Sequence, residues 1–136
     1  MLDDARRHEL GQQPHWSGEL VSELEANCGR NGRVGSALVS ETDDYRVWLI
    51  TLAPGERLPF HTHVLSYFWV ATSPGRARSR DAGGAVSHVE YEVGTTRHMH
   101  YAAGESMTHD LENIGETTLR FTTVEDKRAP NAPLAL

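Results

Sequence analysis

Residues 55–75, GERLPFHTHVLSYFWVATSPG, begin at a turn glycine, run through two histidines and end at a second turn. The segment between the turns is rich in aromatic and β-branched side chains, a composition typical of strands. Only one residue separates His61 from His63, and side chains at positions i and i+2 of a strand point to the same face. We therefore expect two imidazoles on one face, close enough to share a metal ion.

A third histidine lies in another strand-like segment, residues 106–113. The period of two gives this segment two faces, with His109, Leu111 and Asn113 on one and Asp110 and Glu112 on the other. We expect the first face to point inward and the carboxylates to face water. A buried histidine needs a partner for each ring nitrogen, and a metal ion on one nitrogen with a carbonyl or water on the other meets that need.

Short strands separated by turns continue along the chain from residue 34. Glycine or proline marks most of the intervening turns, and no strong helical period appears after residue 30. The predicted strands span residues 34–40, 45–52, 60–70, 76–80, 86–93, 95–101, 106–113 and 118–125. Regular short strands of this kind indicate an all-β sandwich or small barrel.

The length of 136 residues is enough for one domain with a buried core. Residues 1–30 are predicted to form an N-terminal extension, in which Ser17 caps a short helix over residues 18–26. Residues 31–128 are predicted to form the β-domain. Residues 129–136 are a proline-containing tail that cannot sustain a strand ladder.

The net charge of -6 argues against a nucleic-acid partner, which requires clustered Lys and Arg. Arg76, Arg78 and Arg80 alternate, so on a strand they share one face. We expect that face to be solvated, and the alternative is that it meets an anion.

Several absences indicate a soluble, cytoplasmic protein. No apolar run approaches the ~20 residues that a membrane span requires. The charged N-terminus lacks the apolar core of a signal peptide. The single cysteine, Cys28, excludes an internal disulfide.

The two histidine segments resemble the two sequence motifs of the cupin superfamily. The first motif is a glycine, five residues, His-x-His, a glutamate three or four residues later, and a closing glycine; this chain carries Gly55, His61, His63 and Gly75. The second is proline-x-glycine, then a histidine followed after three residues by asparagine; this chain carries Gly104, His109 and Asn113. The resemblance covers about residues 47–125.

The chain departs from the motifs at three points. Tyr67 or Phe68 stands where the glutamate ligand is expected, and Ala102 replaces the proline. Four residues instead of two separate Gly104 from His109. The resemblance implies a cupin-type double-stranded β-helix, or jelly-roll barrel, with a short N-terminal extension. It also implies one divalent metal ion on three histidines, His61, His63 and His109.

Three neutral imidazoles leave the full charge of a divalent ion uncompensated, which favours an anionic, chelating small-molecule substrate. Cupins with three histidines and no glutamate include dioxygenases of β-diketones and of thiols, so the resemblance implies a non-haem Fe(II) dioxygenase. Fe(II) is favoured, although Zn, Ni, Mn and Cu also accept imidazole. The candidate catalytic residues are Tyr67, His98 and His100, and Phe60 and Trp69 are expected to line the pocket.

Two other functions remain open. A metal cupin that acts as an isomerase, lyase or cyclase would use the ion as a Lewis acid and His98 or His100 as the base. A non-catalytic cupin would only bind a small ligand. His98 and His100 take part only if they face inward, and Tyr67 is otherwise a half-buried aromatic. We also expect a homodimer, because open strand edges are usually covered, and residues 1–30 could supply the cover.

Overall fold

The structure is a computed structural model of the single chain and describes residues 2–11, 13, 15–128 and 130–136. Met1, Gln12 and Pro14 of the predicted extension, and Ala129 of the predicted tail, lie outside the described residues.

Two antiparallel sheets make up the β-domain, which confirms the predicted all-β class. The strands are β1 (Ala37–Glu41), β2 (Tyr45–Leu52), β3 (Arg57–His63), β4 (Tyr67–Ala71), β5 (Gly75–Arg80), β6 (Val86–Tyr91), β7 (Thr96–Met99), β8 (Met107–Asn113) and β9 (Leu119–Asp126). One sheet has the order β1-β2-β9-β4-β7, and the other has the order β3-β8-β5-β6. Consecutive strands therefore often lie in different sheets.

The predicted strand over residues 60–70 is in fact two strands in different sheets. β3 ends at His63 in the four-stranded sheet, and β4 begins at Tyr67 in the five-stranded sheet. Leu65, in the corner between them, is 1% exposed. A continuous apolar run does not reveal such a corner, because the corner residue Leu65 is itself apolar and buried and no glycine or proline marks the turn.

The core between the sheets comes from alternate residues of the strands. In β2 the residues Trp48, Ile50 and Leu52 are buried and Leu49 is exposed, as the period of two requires. The inner side chains from both sheets form one cluster: Ile50, Leu52, Leu58, Ala71, Ala77, Tyr91, Leu119 and Phe121. Their burial leaves the remaining inner positions of the four-stranded sheet for the histidines.

Two helices precede the sheets and pack on the outer face of the four-stranded sheet. The predicted helix is confirmed as α2 (Gly18–Asn27), and Ser17 Oγ accepts a hydrogen bond from the Leu20 N–H at 3.2 Å. A second helix, α1 (Asp4–Gly11), was not predicted, because Leu10 is its one buried apolar residue and the sequence shows no apolar period. Within the described residues, no helix has the length and apolar content needed to cross a membrane.

The helices also decide where Phe60 points. Phe60 is fully buried, but it lies on the outer face of β3 and stacks on Trp16 with ring centroids 5.5 Å apart. Leu10, Val21 and Leu24 complete this second apolar cluster. The expectation that Phe60 lines the pocket is therefore wrong, because strand alternation places it opposite His61.

The expectation that Asp110 and Glu112 face water is also wrong. Asp110 is 0% exposed, and its carboxylate accepts three hydrogen bonds: from Arg57 Nε at 2.7 Å, Arg80 N at 2.7 Å and Arg80 Nη1 at 2.6 Å. Glu112 is partly buried and accepts from Arg80 Nη2 at 2.9 Å. The reason is that the N-terminal helices cover this face, and Arg57 also binds Glu23 of α2.

The same cover changes the surroundings of the alternating arginines. Arg78 binds Glu112 at 3.0 Å, and Arg80, 4% exposed, also donates to the carbonyl oxygen of His15 at 2.7 Å. The expectation of a solvated face is therefore wrong for Arg78 and Arg80, because both pair with carboxylates of the chain itself. Arg80 also joins the N-terminal extension to the sheet through the carbonyl of His15.

Candidate metal centre

The three predicted metal ligands converge on the inner face of the four-stranded sheet. His61 and His63 lie on β3 and His109 lies on β8, where it is the direct cross-strand partner of His61. One ligand nitrogen from each of the three lies within 4.8 Å of those of the other two. An irregularity in the register between Leu58 and His61 precedes the pair. The gap of four residues between Gly104 and His109 is longer than in the cupin motif. Even so, His109 lies beside His61 and His63.

Hydrogen bonds fix the tautomer of His61. Its Nδ1 lies 2.7 Å from the carbonyl oxygen of Pro59. A carbonyl can only accept a hydrogen bond, so Nδ1 carries the proton in the neutral ring. Nε2 of His61 is left with a free lone pair, which is the state that a metal ligand needs.

A serine fixes the tautomer of His109 in a similar way. Ser79 Oγ donates its hydrogen to the carbonyl oxygen of Asp110 at 2.7 Å. Because that hydrogen is used, Ser79 Oγ accepts from His109 Nδ1, which lies 3.3 Å away. Nε2 of His109 is then also unprotonated. Ser79 belongs to no recognisable motif, although its position between Arg78 and Arg80 places it on the inner face by alternation.

His63 differs from the other two ligands. Its Nδ1 is buried and has no hydrogen-bond partner among the described residues, so no protein group fixes its tautomer. Its Nε2 lies 3.1 Å from Nε2 of His109. Two unprotonated nitrogens in such close contact repel each other. A shared proton or a cation between them is required.

Burial keeps all three rings neutral. It lowers the pKa of His61 to about 4, and the hydrogen bond to Pro59 only partly opposes this effect. Burial also lowers the pKa of His63 and of His109 well below the ordinary histidine value, and neighbouring histidines lower both further. The cluster therefore offers lone pairs, not positive charge, at neutral pH.

This arrangement fits a divalent metal ion. Two nitrogens that each lie about 2.1 Å from one ion, at right angles, are about 3 Å apart. The separation of 3.1 Å between the Nε2 atoms of His63 and His109 agrees with that value. His61, with Nε2 free, could supply a third ligand. The chain thus holds a three-histidine cluster suited to one metal ion.

Tyr67 lies beside the cluster, at the position where the cupin motif has its glutamate. Its ring stacks on that of His63 with centroids 4.1 Å apart and an interplanar angle of 15°. Tyr67 is 7% exposed, and burial raises the pKa of its phenol. The side chain therefore stays protonated at neutral pH and can donate a hydrogen bond. Its predicted part in catalysis stays a prediction.

His98 and His100 do not reach the cluster. Both are exposed, and His98 stacks on Phe68 on the outer face of the five-stranded sheet, with centroids 5.2 Å apart. The inward orientation considered for these two histidines is therefore wrong, and the outward alternative holds. The intervening residues decide it: in β7, Arg97 pairs with Trp69 and Met99 pairs with Tyr67, so the inner face belongs to Arg97 and Met99.

A cavity of about 70 Å³, called the inner cavity, adjoins the three histidines. Its wall is otherwise mainly apolar and includes Val34, Ile50, Leu58, Trp69, Leu111 and Phe121. Trp69 is thus placed at the pocket as predicted. No carboxylate of the described residues lines this cavity, so its ionisable groups are the histidines and two tyrosines, Tyr67 and Tyr91.

Glu125 is a buried carboxyl group that the sequence analysis did not single out. It is 3% exposed, and its Oε1 accepts a hydrogen bond from Trp48 Nε1 at 2.6 Å. Burial raises the pKa of Glu125 to about 7, although the hydrogen bond from Trp48 and the charge of Arg46 oppose the change. Its direct cross-strand partners are Arg46 on β2 and Tyr67 on β4.

Glu125 is expected to make stability fall as the pH rises. In the unfolded chain this carboxyl ionises near 4.5, whereas in the folded protein it stays protonated until about 7. Ionisation therefore favours unfolding between these values, and above pH 7 the loss is about 3 kcal/mol. Glu125→Gln should match the wild type at pH 4.5 and gain up to that amount at pH 8.5. Urea unfolding of both proteins at both pH values measures this, and a pH-independent difference would contradict it.

No family model matches the chain, and no curated protein sequence matches it significantly. Solved structures do resemble it. A cupin domain from Bordetella pertussis Tohama I is 19% identical, with a TM-score of 0.60 over 72% of this chain and 96% of that one. A conserved double-stranded β-helix protein from Klebsiella pneumoniae is 22% identical, with a TM-score of 0.54 over 85% and 90%. An RmlC-like cupin from Methanocaldococcus jannaschii is 17% identical, with a TM-score of 0.52 over 69% and 84%. The fold implied by the sequence motifs is therefore confirmed.

Proposed function

We propose that this chain, which has the double-stranded β-helix fold of the cupins, is a non-haem Fe(II) dioxygenase acting on a small chelating anion. The observation that supports the proposal is the convergence of three neutral imidazoles, on His61, His63 and His109, beside an apolar cavity. Three facial ligands leave positions for both a substrate and dioxygen. When bound, Fe(II) would coordinate substrate and dioxygen and would pass electrons from the substrate, which is oxidised, to dioxygen, which is reduced.

The charge of the site supports an anionic substrate. None of the three imidazoles carries negative charge, so a divalent ion held there would keep its full charge in a buried place. A chelating anion such as an enolate or an aminothiolate would compensate it. The surrounding apolar wall would exclude water from the reacting groups.

Tyr67 is suited to hold the substrate at this site. Its phenol is protonated at neutral pH, because burial raises the pKa of Tyr67. Its stacking on His63 keeps the ring beside the metal ligands. We infer that the phenol donates a hydrogen bond to an oxygen of the bound substrate. Tyr67→Phe removes that hydrogen bond while it preserves the stacked ring.

The positions of the histidines favour oxygen chemistry over proton transfer. An isomerase, lyase or cyclase needs a base within reach of the substrate. His98 and His100 were the candidate bases, and both face outward. The phenols at the inner cavity are protonated at neutral pH, and no carboxylate of the described residues lines it.

Metal content and oxygen uptake test the proposal together. Protein purified without a histidine tag should contain about one metal ion per chain. Metal-free protein reloaded with Fe(II) should consume oxygen in the presence of a β-diketone or an aminothiol, whereas protein reloaded with Zn(II) should not. His98→Ala is the matched control for His61→Ala, because His98 is exposed on the opposite face of its sheet.

Each result has a distinct meaning. Oxygen uptake by the Fe(II) form and the His98→Ala variant, but not by His61→Ala, would support the dioxygenase. Substrate turnover by the Zn(II) form without oxygen uptake would contradict it and favour a Lewis-acid cupin. Protein that holds no metal ion even after reloading would exclude both and leave a ligand-binding cupin.

A further inference from the structure

A second cavity, of about 280 Å³, opens the metal site to solvent. It lies between the edge strands β6 and β7, and we call it the mouth. Its lining includes Tyr67, Asp81, Tyr91, Arg97 and His109. Tyr67, Tyr91 and His109 also line the inner cavity, so the two spaces are adjacent. A small molecule that reaches the histidines through this opening passes Arg97.

Arg97 is held on the inner side of its strand. It is the direct cross-strand partner of Trp69 in the pairing of β7 with β4, while its neighbour His98 stacks on Phe68 outside. Alternation along the strand therefore turns Arg97 toward the mouth. Because β7 is the edge strand of its sheet, the side chain remains exposed.

The guanidinium of Arg97 is unpaired. Among the described residues, the salt bridges of the chain engage other cations and none engages Arg97. No hydrogen bond of its side chain to another described residue is formed either. Asp81 also lines the mouth, but its Oδ1 accepts a hydrogen bond from the Ala85 N–H, and its carboxylate is beyond salt-bridge distance from Arg97. This unpaired positive charge can therefore attract an anion.

The charge of Arg97 reaches the metal ligands and the phenols around them. Burial lowers the pKa of His109, and Arg97 lowers it further. Burial raises the pKa of Tyr67, Tyr91 and Tyr101, and in each case Arg97 opposes that effect.

We propose that Arg97 binds a carboxylate group of the substrate at the mouth, while the reacting end of the same molecule extends to His61, His63 and His109. The position of the reacting end, beside the three histidines, rests on the proposed function. It narrows the substrate class to small organic carboxylates that carry a second, metal-chelating group. A planar guanidinium matches a carboxylate through two parallel N–H···O hydrogen bonds, which a lysine cannot reproduce.

Carboxylate binding by the metal-loaded protein tests the assignment of Arg97. Propionate is the probe, and propionamide, which has the same shape without the charge, is its control ligand. Titration calorimetry should show weaker propionate binding to Arg97→Gln by about tenfold, with an intermediate loss for Arg97→Lys. Arg120→Gln is the matched control, because it removes the same charge from an exposed position on β9.

The outcomes separate this proposal from the proposed function. A tenfold loss in Arg97→Gln with Arg120→Gln within twofold of the wild type would support the role of Arg97. Any of three results would overturn it: equal losses in both variants, no loss in Arg97→Gln, or binding of propionate that is no tighter than binding of propionamide. The same titrations on metal-free protein measure the Arg97 contribution alone. Arg97-dependent binding to a protein that takes up no metal ion would therefore refute the dioxygenase and leave the anion site standing.

Discussion

Asp110→Ala is expected to lower the free energy of unfolding by about 3–5 kcal/mol, because it removes one member of a buried ion-pair network. The carboxylate of Asp110 is fully buried between Arg57 and Arg80, and it also accepts the backbone N–H of Arg80. Its loss leaves the Arg80 guanidinium, whose side chain is 5% exposed, with Glu112 as its one remaining counter-ion among the described residues. The N-terminal helices should loosen as well, because Arg57 connects Asp110 to Glu23.

Urea unfolding measures this effect, and Glu90→Ala is the matched control. Glu90 is exposed on β6 of the same sheet and makes no ion pair with a described residue, so its removal should change stability by less than about 0.5 kcal/mol. A loss below about 1 kcal/mol for Asp110→Ala would mean that the network contributes little to stability.

His109→Ala is expected to weaken metal binding by more than about 100-fold, since removal even of the groups that orient metal-bound histidines costs 10–100-fold. His109 contributes one of the three convergent nitrogens, and its Nε2 lies 3.1 Å from that of His63. His61 and His63, the two remaining ligands, lie on one strand and would provide one ligand fewer than a facial set of three. The apparent dissociation constant, from titration of metal-free protein with Zn(II) against a competing chelator, measures the change.

Stability provides a second readout of the same variant. An ion that binds only the folded protein stabilises it by about 4 kcal/mol at a thousandfold excess over its dissociation constant. The wild type and His98→Ala should therefore melt at a higher temperature when Zn(II) is added, and His109→Ala should not. Equal stabilisation of all three proteins would place the ion somewhere other than the three histidines.

The strand pattern predicted much of the β-domain, but neither the corner between β3 and β4 nor the helices that pack on the four-stranded sheet. Alternation correctly placed His61 and His63 on one face, and the turns correctly divided most strands. The run over residues 60–70 concealed a passage between sheets, because the corner residue Leu65 is as apolar as the strands on either side of it. α1 was missed because one buried leucine, Leu10, defines no period.

The errors at individual residues have a common cause in the N-terminal extension. The predictions for Asp110 and Phe60 assumed that one face of a sheet is buried and the other faces solvent. Here α1 and α2 also cover the part of the outer face of the four-stranded sheet around Phe60 and Asp110. Phe60 therefore packs outward on Trp16, and Asp110 is enclosed with Arg80.

The sequence by itself determined the all-β fold and the three histidines that could hold a metal ion, because both follow from local spacing: a period of two along each strand, and two motifs that recur in a known fold. Tertiary structure alone decided which other groups lie near those histidines. Ser79 fixes a tautomer from a neighbouring strand, and Arg97 reaches the mouth because β7 pairs with β4 in one particular register. The alternation along a strand specifies which face each residue takes, but packing between distant segments decides which strands become neighbours, as β4 and β7 do here.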